Sequence, residues 1–419
     1  MPRSPRILMT SALAVLALVA AACSSGPAKP KSAAKHGDTT NTTIELVPVR
    51  KGSKPTLPPF TAPSLTLTDA AFLSPTSGYG LFTADSGVIC SVYVGSTSNS
   101  GATFAHLAVA GSGSCLQGYG ATHLTADGQG DLFAYGPNLY VSHNGGSSWT
   151  TEKQPGDVLT VSAVGKSMWM VESICARPTA ATCSLRLENS ANGGSSWRDL
   201  TLPSRLSVEN IPDMPVAVLV RTGAGTGYIG VADPSSTTKS SLYYTSDGGS
   251  SWVTRTIGCG GQTVAMSAAP DGTLIAVCGA APVTGNQAKS SVISTDGGEN
   301  WTTQFICDGT LTPLPKCALS SFFNGYLGSI DAVSSSTAFM VGVRTALEET
   351  TNGGKSWAPV TPPLGGSTDG TWRVTFFNDS DGIVVGNSVT APPVPTIWST
   401  SNGGATWTAT VPSTAQPAG

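Results

Sequence analysis

Five arginines, Arg177, Arg186, Arg205, Arg344 and Arg373, fall near segments that read as loops, together with the carboxylates Glu209, Asp213, Asp308 and Asp369 and with Tyr326. Converging guanidiniums can clamp a carboxylate, a tyrosine beside a glutamate can act as a nucleophile, and an aspartic acid can deliver a proton. The raw materials for cleaving a glycoside are therefore present. A surface that only binds a carboxylate or a planar group uses the same side chains. No Gly-x-Ser-x-Gly elbow, metal-binding helix motif or phosphate-cradling glycine loop offers a further chemistry. His36, His106, His123 and His143 do not cluster with the cysteines, and no CxxC spacing occurs, so neither a metal nor any other cofactor is expected.

What must position these residues is a chain of 419 with 22 Lys+Arg, 25 Asp+Glu and 49 glycines, only 11% charged against 40% hydrophobic. A chain this apolar with a net charge of −3 is not built to stay disordered. It also lacks the basic excess that neutralising phosphates requires, which argues against a nucleic-acid partner.

Residues 1–22 carry Arg3 and Arg6, then an apolar run from Ile7 to Ala22 broken only by Thr10 and Ser11. That run of 16 residues is shorter than the roughly 20 needed to span a bilayer, so it reads as a signal peptide. Leu18-Val19-Ala20-Ala21-Ala22-Cys23 resembles a bacterial lipoprotein lipobox, with Ala20 where that family usually has Leu. The resemblance implies a lipid on Cys23 and a mature protein held on the outer face of the bacterial cytoplasmic membrane; two acyl chains suffice for stable anchoring. The alternative is an ordinary cleavage site that leaves Cys23 a thiol. Cysteine parity favours the lipid: without Cys23 there remain Cys90, Cys115, Cys175, Cys183, Cys259, Cys278, Cys307 and Cys317, an even set in an exported chain, hence disulfides. Residues 23–60, rich in Ser, Thr, Pro, Ala and Lys, read as a lipidated N-terminus and linker.

Six of the nine tryptophans close the same octad: SHNGGSSW ending at Trp149, SANGGSSW at Trp197, TSDGGSSW at Trp252, STDGGENW at Trp301, TTNGGKSW at Trp357 and TSNGGATW at Trp407. A weaker copy, TSNSGATF, ends at Phe104, and successive copies lie 45, 48, 55, 49, 56 and 50 residues apart. Asn or Asp before Gly-Gly is a hairpin signal, because glycine accepts positive φ and the Asx side chain bonds back to turn amides. Asn144, Asn192, Asn352 and Asn402 share this position with Asp247 and Asp296; so few charges argue for a structural turn and against a metal site.

Each octad follows strand-like runs, as in Trp372–Phe377, Gly382–Gly386 and Thr396–Ser399 of the last repeat, and Thr406–Val411 leaves it. Four strands per repeat, A to D, with the octad as the C-D hairpin, predict an all-β fold, a seven-bladed β-propeller of four-stranded antiparallel blades over 61–412 with a tail at 413–419. Because contacts in such an array stay within a blade or between neighbours, the expected disulfides are Cys90–Cys115, Cys175–Cys183, Cys259–Cys278 and Cys307–Cys317.

The octads resemble the Asp-box, or BNR, repeat of sialidases, sortilin-type receptors, xyloglucan-active glycoside hydrolases and the photosystem II assembly/stability factor family. FFNDSDGIVVGN at 376–387 followed by IWSTSNGGATW is most similar to the last, whose members are seven-bladed and often exported or lipidated. The sialidases' early Arg-Ile-Pro motif is missing, Arg50 sitting instead in Val-Pro-Val-Arg-Lys-Gly, and sialidases have six blades. The resemblance implies fold more than partner. The expectation is a non-catalytic binding or assembly module for an extracytoplasmic protein or glycan, with a sialidase-like or other exo-acting glycoside hydrolase as the alternative.

In an antiparallel blade the A-B and C-D connections share one face and the B-C and D-to-A connections the other. The first set is short and uniform. The second contains the long segments, 172–184, 202–215, 231–241, 279–291, 306–328 and 387–395, so the functional face is expected opposite the octads. On it, Arg344, Asp369, Trp372 and Arg373, flanked by Tyr326, are the candidate ligand-binding cluster.

Overall fold

The octad chemistry folds as the sequence predicts. In the second repeat the Gly146 N–H donates to Ser142 Oγ at 2.9 Å, the Ser142 hydroxyl donates to Asn144 Oδ1 at 3.0 Å, and the same Oδ1 accepts the Ser148 N–H at 2.9 Å. Gly145 and Gly146 take φ of 68° and 87°, which is why two glycines stand there. The Gly145 N–H then donates to Gly130 O at 2.9 Å, tying the octad to the A-B turn of its own blade. In the degenerate copy Ser100 adopts φ 58° without being glycine, and its hydroxyl donates to Pro75 O at 2.9 Å.

This is a computed structural model that describes residues 65–414 apart from 115–120, 178, 203–205, 211–213, 237, 283–284, 307–324, 362–363, 365–370, 389 and 391. The chain divides into Met1–Phe60 and Thr61–Gly419, and the described residues belong to the second unit. The expected signal peptide, Cys23 and linker thus lie outside them.

The described chain is all-β, seven antiparallel blades of four strands. Strand A of each blade is, in order, Thr66–Phe72, Ala121–Ala126, Asp157–Val164, Ala217–Arg221, Thr263–Ala268, Tyr326–Ala332 and Thr371–Phe376. Neighbouring A strands contact one another around a central channel. The core is distributed over the seven seams between blades. Each octad aromatic packs into the seam with the preceding blade: Trp197 edge-on to Phe133, Trp252 beside Trp169 and Trp407 edge-on to Phe339. Phe104 fills the seam between blades 7 and 1 with Ile383, Val385 and Ile397, and it is fully buried.

Blade 1 departs from the plan. Its strands B and C are Gly78–Asp85 and Ile89–Thr97, and its strand D, Thr103–Ser114, has 12 residues where the other D strands have 2 to 5. Gly111 permits this, because the Tyr140 ring of blade 2 occupies the space a side chain would need. A fifth strand, Ser413–Thr414, pairs in parallel with Thr103–Phe104, so the structured chain passes the expected limit at 412. Two of the long loops are also more structured than expected. Strands B and C of blade 3 reach Ile174 and start again at Thr182, and 202–215 contains the short strand Ser207–Glu209, which pairs with Thr182–Ser184.

Among the described residues the ring is closed in two ways: by the short strand Ser413–Thr414, which ties the end of the chain to blade 1, and by side chains at the seam between blades 7 and 1.

Candidate functional site: the loop face and the channel

The channel is stitched by side chains of the A strands, which bond to the backbone of the next blade. The Asp69 carboxylate accepts the Leu124 N–H at 2.8 Å, Thr125 donates to Val161 O at 3.2 Å, Ser267 accepts the Ala332 N–H at 3.0 Å, and Asp331 accepts the Phe376 N–H at 2.7 Å. Arg373 completes the circuit, donating to both oxygens of Asp69 at 2.9 and 2.6 Å and to Leu124 O at 2.9 Å. Burial alone would lower the Arg373 pKa, but the Asp69 carboxylate overrides it and the guanidinium is held charged. Burial pushes Asp331 up to about 6, against the hydrogen bonds it accepts.

The loop face is stiffened covalently. Cys175–Cys183 bridges the B-C connection of blade 3, and Cys259–Cys278 ties the connection entering blade 5 to its strand B, Leu274–Gly279. Both pairings are the expected ones. Cys90, at the same end of blade 1, is also disulfide-bonded, to a partner outside the described residues; Cys115, Cys307 and Cys317 lie there too. Gln287 braces the B-C connection of blade 5, its amide donating to Thr263 Oγ1 at 3.0 Å and Ala280 O at 2.8 Å while its carbonyl accepts the Leu327 N–H at 2.8 Å. Beneath it Lys289 is buried, its ammonium donating to Gln287 O at 3.3 Å and Gly325 O at 3.1 Å; burial lowers its pKa to about 7, against the pull of Glu348.

The candidate cluster divides. Tyr326 pairs with Val343 across strands A and B of blade 6, which places it beside Arg344. Arg344 is exposed on the loop face at φ 65°, its guanidinium against Gly285 of the preceding blade. Arg373 is not on the rim with them: it reaches into the channel towards blades 1 and 2. Trp372 lies in the backbone of strand A of blade 7, and Asp369 falls outside the described residues, as do Arg205, Asp213 and Asp308.

Arg186, read as a loop residue, is in strand C of blade 3 and bridges Glu172 at 3.2 Å, Glu188 at 2.9 Å and Asp199 at 2.6 Å. Glu172 is fully buried, and burial, reinforced by Glu188, pushes its pKa up to about 7. The sequence reading passes over Asp69, Asp331, Lys289 and Glu172; for Asp69, Asp331 and Glu172 the one cue is a charged residue set into a largely apolar strand run, and Lys289, in Lys-Ser-Ser-Val-Ile-Ser, lacks even that.

No protein-family model matches the chain, and no curated protein matches it. Solved structures do. A YCF48 bound to D1 peptide is 18% identical, with 77% of this chain and 90% of that one covered and a TM-score of 0.45. A GH74 xyloglucanase from Xanthomonas campestris is 13% identical over 79% of this chain and 58% of that one, with a TM-score of 0.43. A polysaccharide lyase of the ulvan lyase type is 11% identical over 81% and 93%, with a TM-score of 0.48. Propellers of both binding and carbohydrate-cleaving kinds are thus among the similar structures.

Proposed function

We propose that this chain is an exported, lipid-anchored propeller that binds an extracytoplasmic protein or glycan on its loop face without transforming it. The observation that carries this reading is the contrast between the faces. Octads and A-B turns make one face uniform and bonded to itself, while the other varies from blade to blade and is braced by both described disulfides. Rigid, individual loops on a repeating scaffold suit recognition. Two of the arginines that a carboxylate clamp would draw on are engaged: Arg373 by Asp69 and Arg186 by three carboxylates. Arg344, beside Tyr326, is the cation this reading assigns to the partner.

The glycoside-hydrolase alternative would draw on Asp331, whose pKa of about 6 suits a proton donor. One of its oxygens is already held by the Phe376 N–H. Capture of partner in crosslinked membranes should be lost in Arg344→Glu and kept in Lys355→Glu, on the octad face. Sugar release from a glycan panel that Asp331→Asn abolishes would overturn the non-catalytic reading.

A further inference from the structure

Val88 and Ile89 are adjacent, 70% and 53% exposed, and stand at the tip of the B-C hairpin of blade 1, on the loop face. Single exposed aliphatics need no explanation, but this pair is rigidly presented. The Ser86 N–H donates to Ile89 O at 3.1 Å, the Gly87 N–H to Asp85 Oδ1 at 2.5 Å, and the Ile89 N–H to Ser86 Oγ at 3.1 Å. Three of the tip's amides are therefore satisfied inside the turn, and Cys90, next to the tip, is pinned by a disulfide. A loop that leaves water must meet this condition, since unpaired backbone groups are costly where nothing can bond them.

The described chain begins at Leu65 and enters strand A of blade 1 from the same face. Everything that precedes it arrives there, and the stretch from Cys23 can span at most roughly 140 Å. We propose that the Val88–Ile89 tip inserts into the interfacial region of the lipid bilayer to which the chain is anchored, orienting the loop face relative to the membrane. This rests on the anchoring reading above, but its test does not need the lipid. Two aliphatic side chains give weak, reversible adsorption, well short of anchoring.

The test uses the full mature chain with Cys23→Ser, so that only the protein surface meets lipid, and phosphatidylcholine vesicles at millimolar lipid, because the protein is net negative. Cosedimentation should fall about tenfold when Val88→Asp and Ile89→Asp are combined, and stay unchanged in Val253→Asp, an exposed valine at the octad end of blade 4. Equal sedimentation of all three, or none by any, overturns the proposal. So does a double variant that keeps vesicle binding but loses capture of a protein partner, which would make the tip a protein contact. Failure of the anchor is read separately, from whether Cys23→Ser leaves cell membranes.

Discussion

Arg373 and Asp69, 304 residues apart in sequence, are joined by two hydrogen bonds of 2.9 and 2.6 Å across the seam where the last blade meets the first. Asp69 is 3% exposed and Arg373 27% by side chain, so the pair is mostly shielded from water. The same carboxylate holds the Leu124 N–H, so one aspartate locks three consecutive blades.

Removing one partner strands the other. Arg373→Ala should destabilise by about 3 to 5 kcal/mol, because it leaves a buried carboxylate without its cation. A double-mutant cycle with Asp69→Ala, read by urea denaturation, should show strong coupling; additive losses would mean that the seam is held by its apolar contacts alone.

The octad aromatics are expected to be unequal in an order the sequence misleads about. The smaller ring at Phe104 suggests a tolerant site, yet Phe104 is fully buried while Trp301 is half-buried. Phe104→Ala should therefore cost about 3 to 5 kcal/mol, no less than Trp301→Ala. Chemical denaturation of the two variants side by side decides the order.

The octads make the fold legible because their chemistry is local: eight residues contain the hydroxyl, the Asx, the glycines and the aromatic that build one hairpin. The closure of the ring was not legible, since nothing near Asp69 or Arg373 indicates the other. Arg373 looked like a rim residue because it opens a strand, but the alternation of strand A turns it into the channel. The long ribbon of blade 1 was hidden for a related reason. Its extension depends on Gly111 making room for Tyr140 of the next blade, a contact between repeats.

Glu172 gives stability a slope with pH. Its folded pKa of about 7 lies above the ordinary glutamate value of 4.5, so the folded state holds the proton more tightly than the unfolded chain. The associated stability is present below about pH 4.5 and is lost as pH rises to about 7. Glu172→Gln should remove this slope and stabilise the protein at pH 8 by on the order of 2 kcal/mol. Melting temperatures across pH 5 to 7 test this, with Asp331 expected to leave a smaller residual slope of the same sign up to about pH 6, while above pH 7 the buried Lys289 contributes a slope of the opposite sign.

Lipidation makes a simple prediction. Cys23→Ser should move the protein from the membrane to the soluble exported fraction, with its melting temperature unchanged, because residue 23 lies outside the propeller unit. A wild-type protein found already soluble would remove the anchor from the account.

The central claim, that the loop face meets the partner, is tested most directly by a photocrosslinking amino acid placed at position 344 or, on the octad face, at position 355. Irradiated in native membranes, the first should yield a discrete adduct and the second none. An adduct formed from position 355 and not from position 344 would contradict the account.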